Sequence, residues 1–103
     1  MSDFEIRRQG DAVVVVPAGD VLSSSVPPMR VAMRDLVASG VREMVFDMDR
    51  ATMIDSTGLG LLLSAFNSIT RAGGKFSVVH ASNEILDLFR TMRIHQHFPV
   101  SGR

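Results

Sequence analysis

The sequence predicts an α/β fold: a mixed, mostly parallel sheet of four to five strands that opens with a hairpin and carries three to four helices. Three observations point there. Short β-branched or alternating runs take turns with longer segments whose apolar residues recur at helical spacing. The first two short runs are separated only by a turn, whereas later ones are separated by a helix, which implies an antiparallel hairpin followed by parallel crossovers. Glycine, proline or a capping serine stands at most of the joints.

Taken in order, Phe4 to Arg8 alternates apolar and polar side chains like an edge strand, and "QGD" turns into "AVVVVPAG", a run fit for a buried strand and ended by Pro17 and Gly19. Ser25 is a suitable N-cap, and Pro27 and Pro28 are tolerated only in a first helical turn. Met29, Met33, Leu36 and Val37 then share one face before Gly40 stops the helix. Residues 42–48, "REMVFDM", read as a second buried strand. After "DRATMI" a helix runs through Leu59, Leu62, Leu63, Phe66 and Ile69 to Gly73 and Gly74. "KFSVVHA" is the next strand, and Ser82 caps a helix that aligns Ile85, Leu88, Phe89 and Met92. Met33, Met44, Met48 and Met53 are read as core fillers and Met92 as a candidate interface residue. No repeat, linker or low-complexity segment interrupts residues 1–103, which are expected to form one domain.

Composition narrows the function. With 103 residues the chain can bury about two-thirds of its unfolded surface. A hydrophobic share of 46% marks it as globular, and no apolar run approaches the roughly 20 residues of a membrane helix. Its charged start, "MSDFEIRRQGD", lacks signal or transit character, which predicts a cytoplasmic protein. The absence of cysteine removes disulfides, thiolate metal sites and thiol nucleophiles. Eleven basic and eleven acidic residues cancel, which argues against nucleic-acid binding, yet residues 1–70 hold nine acids and six bases and residues 71–103 two acids and five bases.

The stretch "IDSTGLG", residues 54–60, joins the second buried strand to a helix and sets three polar residues before its apolar run. Ser56 lies where the loop meets the helix, beside the unsatisfied N–H groups of the first turn, and a Ser or Asp there is worth about 1 kcal/mol as a cap. Capping leaves Gly58 and Gly60 unexplained, because each costs up to about 1 kcal/mol in a helix. Their missing side chains would open the backbone around Ser56 to another molecule, which favours a docking surface.

The pattern Val45, Asp47, Ile54, Asp55, Ser56, Thr57, Gly58, Leu59, Gly60, followed by a Gly-Gly turn and a strand, resembles the core of a STAS domain of the bacterial anti-sigma factor antagonist family. "GDVLSSSVPPMRVAM" is similar to that family's segment around G-E-L-D, and the likeness covers nearly the whole chain. It implies a protein that is a substrate and ligand rather than an enzyme, with no catalytic residue, cofactor or metal. Ser56 would be phosphorylated by an anti-sigma factor that is also a serine kinase of histidine-kinase-like ATPase fold, and a metal-dependent phosphatase would reset it. Asp20, Asp55, Ser56, Thr57, Gly58, Leu59 and Gly60 would form the partner-binding surface, with Thr57 a competing acceptor. The alternative is a constitutive STAS subunit of a larger assembly, such as a lipid-trafficking ABC transporter or a stress-sensing scaffold. The chain departs from the family in having Leu22 where a second acid closes G-E-L-D, Arg93 in place of a glycine, and "PVSGR" where a last helix often continues.

Phosphorylation would add about −1.5 to −2 charges over a helix N-terminus, which the fold tolerates, among Asp20, Asp47, Asp49 and Asp55, which a partner would have to desolvate. Rival chemistries are weaker. Ser56 lacks the G-x-S-x-G elbow, although His80 ends a strand near the same sheet end and leaves a serine–histidine dyad open. His95 and His97 lack a third metal ligand, and "GGK" lacks the Walker spacing. The edge strand at Phe4 to Arg8 offers unpaired backbone groups for a homodimer.

Overall fold

The computed structural model describes residues 4–103. Strands β1 (Phe4–Gln9) and β2 (Ala12–Pro17) form the expected antiparallel hairpin, and Arg7 stands opposite Val14. Helix α1 (Val26–Ala38) leads to β3 (Glu43–Asp47), α2 (Ser56–Arg71) to β4 (Lys75–Ala81), and α3 (Asn83–Thr91), through a 3-10 turn at Ile94–Gln96, to β5 (Val100–Gly102). The sheet order is β1-β2-β3-β4-β5, with every pair after the hairpin parallel, as βαβ crossovers require.

Register decides which residues enter the core. Val13, Met44 and Phe76 stand side by side across β2, β3 and β4, as do Val15, Phe46 and Val78, and all six are buried. The alternate row, Val14, Val45 and Ser77, is only half-buried, so the valine run of β2 is covered mainly from one side rather than both. Helices α1 and α2 pack on each other, α2 packs on β4, and α3 on β4 and β5. Burying Met29, Met33, Leu61, Leu62, Ile69, Ile85 and Phe89 among these strands supplies the hydrophobic drive for the assembly.

Two sequence expectations need correction, and one segment that the sequence leaves unassigned gains a structure. Ser25 stands at the α1 N-cap but its side chain caps nothing there; its Oγ instead donates to the Leu22 carbonyl at 3.0 Å and accepts from the Leu22 N–H at 3.2 Å, closing the preceding turn. Met53 lies outside the core, 49% exposed. The C-terminal "VSG" is a strand, β5, paired at Val78 to Val100 and Ala81 to Gly102. Phe98 anchors this segment, with its ring centroid 4.8 Å from that of Phe76 and 5.4 Å from that of Phe66. Arg93, in the family's glycine position, has φ 58° and turns the chain from α3 into that segment. At the other sheet edge, β1 exposes Glu5, Arg7 and Arg8, charges of the kind that discourage edge pairing.

Candidate functional site

Parallel strands β2 and β3 end at the same side of the sheet, and the loops that leave them run together. Val21 and Ile54 form a parallel bridge beyond the strands, with the Val21 N–H on the Met53 carbonyl at 3.3 Å and the Asp55 N–H on the Val21 carbonyl at 3.2 Å. Two carboxylates then tie the loops in opposite directions. Asp20 Oδ1 accepts the N–H groups of Thr52 at 2.8 Å and Met53 at 3.1 Å; Asp55 Oδ2 accepts the Ser23 N–H at 2.9 Å. The result is a two-loop platform stitched from both sides.

Asp55 also caps α2. Its backbone is extended and its Oδ1 accepts the Gly58 N–H at 2.8 Å, so Asp55, not Ser56, satisfies the helix entrance. The Gly58 N–H foremost, with those of Ser23 and Thr57, holds the Asp55 carboxyl below its usual range, and the N–H groups of Thr52 and Met53 do the same for Asp20. Both acids are thus ionised at neutral pH, and backbone amides of the platform bind their charge. Part of the favourable field at the α2 N-terminus is already engaged by Asp55.

The two glycines differ. A Cβ at Gly58 would lie 2.5 Å from the Val21 carbonyl oxygen and 2.6 Å from Ile54 Cγ1, so Gly58 is required by the chain's own Val21 loop. That corrects the expectation that both glycines open the backbone to a second molecule. At Gly60 nothing lies within 4 Å, and the residue is exposed. Leu59 is buried in the core. Ser56, the first residue of α2, is exposed, and its hydroxyl makes no hydrogen bond among the described residues; Thr57 beside it is exposed as well.

Two further ties hold the platform from behind. Buried Ser82 donates its hydroxyl to the Thr52 carbonyl at 2.8 Å while accepting the Ile85 N–H at 3.2 Å, joining the α3 cap to the site. Arg103 Nη2 donates to the carbonyls of Asp49 at 2.6 Å and Ala51 at 2.8 Å. His80 Nδ1 lies 2.9 Å from Asp47 Oδ1, and no hydrogen bond joins it to Ser56 among the described residues. Burial pushes the Asp47 carboxyl up, but the hydrogen bonds from His80 and the Asp49 N–H, with the charges of His80 and Arg7, outweigh it and leave the carboxyl below its ordinary range.

Around this platform stand two exposed apolar side chains, Leu22 at 39% and Met53 at 49%. Sequence reasoning did not foresee Ser23, Thr52, Met53 and Ser82 as parts of the site. The ties span 30 to 33 positions, and no local pattern encodes a pairing at that separation. Among the described residues no group of three or more His, Cys, Asp or Glu is placed to hold a metal, and no helix is long and apolar enough to cross a membrane.

Compared with known proteins, residues 3–102 match the family model of the STAS domain. The fold is similar to an anti-sigma-factor antagonist (STAS) domain protein of Planctomyces limnophilus (TM-score 0.86, 15% identity, 99% of this chain and 92% of that one). It is similar to an anti-sigma factor antagonist of Mycobacterium paratuberculosis (0.84, 19%, 97% and 85%). It is also similar to the Bacillus cell fate determinant SpoIIAA in its phosphorylated form (0.78, 17%, 94% and 89%). At such identities the likeness establishes the fold. No curated protein sequence matches the chain.

Proposed function

The chain belongs to the STAS domain family, and from that we propose that it is an anti-sigma factor antagonist whose binding to a serine kinase is switched by phosphorylation of Ser56. One observation carries the reading: an exposed serine with an uncommitted hydroxyl sits at the edge of a platform whose every neighbouring loop is tied down. A kinase needs such a hydroxyl free, and a binding partner needs such a surface preorganised. The protein serves as ligand and substrate, in the cytoplasm, for an anti-sigma factor of histidine-kinase-like ATPase fold, and a metal-dependent phosphatase restores it. That one structural relative is described in a phosphorylated form supports the same view.

The chemistry of the switch follows from the neighbours of Ser56. The phosphoryl group adds about −1.5 to −2 charges next to an Asp55 carboxylate that is already ionised. Because Ser56 points away from the core, the fold survives the change. A partner seated over Leu22, Met53, Ser56, Thr57 and Gly60 would have to desolvate both charges together, and a 100-fold loss of affinity needs only about 2.7 kcal/mol. Leu22, exposed where the family carries an acid, favours a second reading, in which the same apolar rim seats a permanent partner in a transporter or scaffold assembly and Ser56 is never modified.

Capture from the source organism's lysate with Ser56→Ala and Ser56→Glu baits separates the two. The switch predicts a histidine-kinase-like ATPase held by the alanine bait and lost by the glutamate bait. Retention of the same transporter or scaffold subunits by both would replace it with the second reading.

A further inference from the structure

Most arginines of the acidic first seventy residues are engaged: Arg7 and Arg50 with Glu5, Arg8 and Arg42 with backbone carbonyls. Arg30 and Arg34 on α1 make no hydrogen bond or ion pair among the described residues, although Arg30 is half-buried. They stand one helical turn apart on the wall of a concavity of about 70 Å³ along the α1–α2 seam. Ser64 and Ser68, also one turn apart, line it from α2, their hydroxyls likewise unpaired among the described residues, over buried Met33 and Leu61. The volume is far below the roughly 300 Å³ of a small-molecule pocket and suits one carboxylate-sized group.

The seam also continues the candidate surface. Thr57 and Ser64 are seven residues apart and so within about 20° on the helix face, and Gly60, exposed and unobstructed, lies between them. We infer that the α1–α2 seam, through Arg30, Arg34, Ser64 and Ser68, receives an acidic side chain of the partner protein that docks on the Ser56 platform. This rests on the reading of that platform as a docking surface. Paired guanidiniums and hydroxyls match a carboxylate in charge and hydrogen-bond sense. The seam attracts an acidic segment at one end of the surface while phosphorylation of Ser56 acts locally at the other, so the two ends orient the partner.

The test is an NMR titration of ¹⁵N-labelled protein with a blocked tetraglutamate peptide, with tetraglutamine and sodium phosphate as separate arms. Tetraglutamate alone should shift the Ser64 and Ser68 amides and the Arg30 Nε–H. The shifts should vanish in Arg30→Gln/Arg34→Gln, whose unchanged sheet amides certify its fold in the same spectrum. Shifts that centre on Arg71, Lys75 or Arg93, that survive the double substitution, or that appear with phosphate but not peptide would overturn the inference. A Ser56→Glu protein should titrate at the seam as the parent does, so a failed seam and a failed switch are read separately. Against the kinase captured by the alanine bait, the double substitution with Ser56 intact should weaken binding about five- to tenfold, and unchanged affinity would also overturn the inference.

Discussion

Replacing Gly58 by alanine tests how the platform is built. The added methyl would meet the Val21 carbonyl oxygen at 2.5 Å, Ile54 Cγ1 at 2.6 Å and Val21 Cγ1 at 3.0 Å. The first of these is backbone and accepts the Asp55 N–H, so relief requires the residue 20–23 loop to separate from the residue 53–55 loop rather than a rotamer change. Overpacking of this kind costs about 1–3 kcal/mol, and alanine returns up to about 1 kcal/mol through helix propensity, leaving a net loss of about 1–2 kcal/mol. In a chain of this length that lowers the melting temperature by roughly 5–10 °C. Gly60→Ala is the internal control, on the same helix with open space around it, and should be neutral or stabilising by up to about 1 kcal/mol. Urea unfolding of both variants reads the difference directly. Equal stability of the two would refute the claim that Gly58 exists to let the Val21 loop approach, and with it the account of how the platform is held.

Other perturbations probe the ties one at a time. Ser82→Ala removes both the donation to Thr52 and the cap on Ile85 and should cost about 1–2 kcal/mol, with faster amide exchange at Ile85 in hydrogen-exchange measurements. Arg93→Gly relieves a left-handed conformation of about 1 kcal/mol, part of which glycine forfeits in the unfolded chain, so the urea midpoint should rise by the equivalent of about 0.5 kcal/mol at unchanged slope. The carboxyls of Asp20 and Asp55 titrate below their unfolded values when folded. Their contribution is therefore present above the unfolded carboxylate pKa of about 4 and is lost as pH falls through the lower folded values. Stability measured from pH 6 to pH 2 should fall less steeply in Asp20→Asn than in the parent, the variant already being weaker at pH 6; identical slopes would deny the tie to Thr52 and Met53 a role.

What the amino-acid sequence determined by itself is what short-range patterning controls. Lys75–Ala81 reads as a strand because Phe76 and Val78 alternate with polar or half-buried neighbours, and the following Ser82 reads as a cap because its hydroxyl serves an amide three residues on. The hairpin and the parallel crossovers follow from what separates the strands, and Ser56 was legible as a polar residue at a helix entrance. The tertiary structure decided the rest, through contacts between segments distant in the chain. Val100–Gly102 carries no strand signal and becomes β5 because Phe98 packs on Phe66 and Phe76 and delivers it to the edge of β4. Gly58 looks like an opening in sequence and is filled by Val21, thirty-seven positions earlier. Asp20 and Asp55 look like a charged surround for Ser56, yet each carboxylate reaches an amide of the opposite loop, Asp55 while also capping α2. Periodicity reports which side of an element is buried, because burial repeats with the backbone's own geometry; a hydrogen bond between two loops repeats with nothing, and only the folded chain brings its ends together.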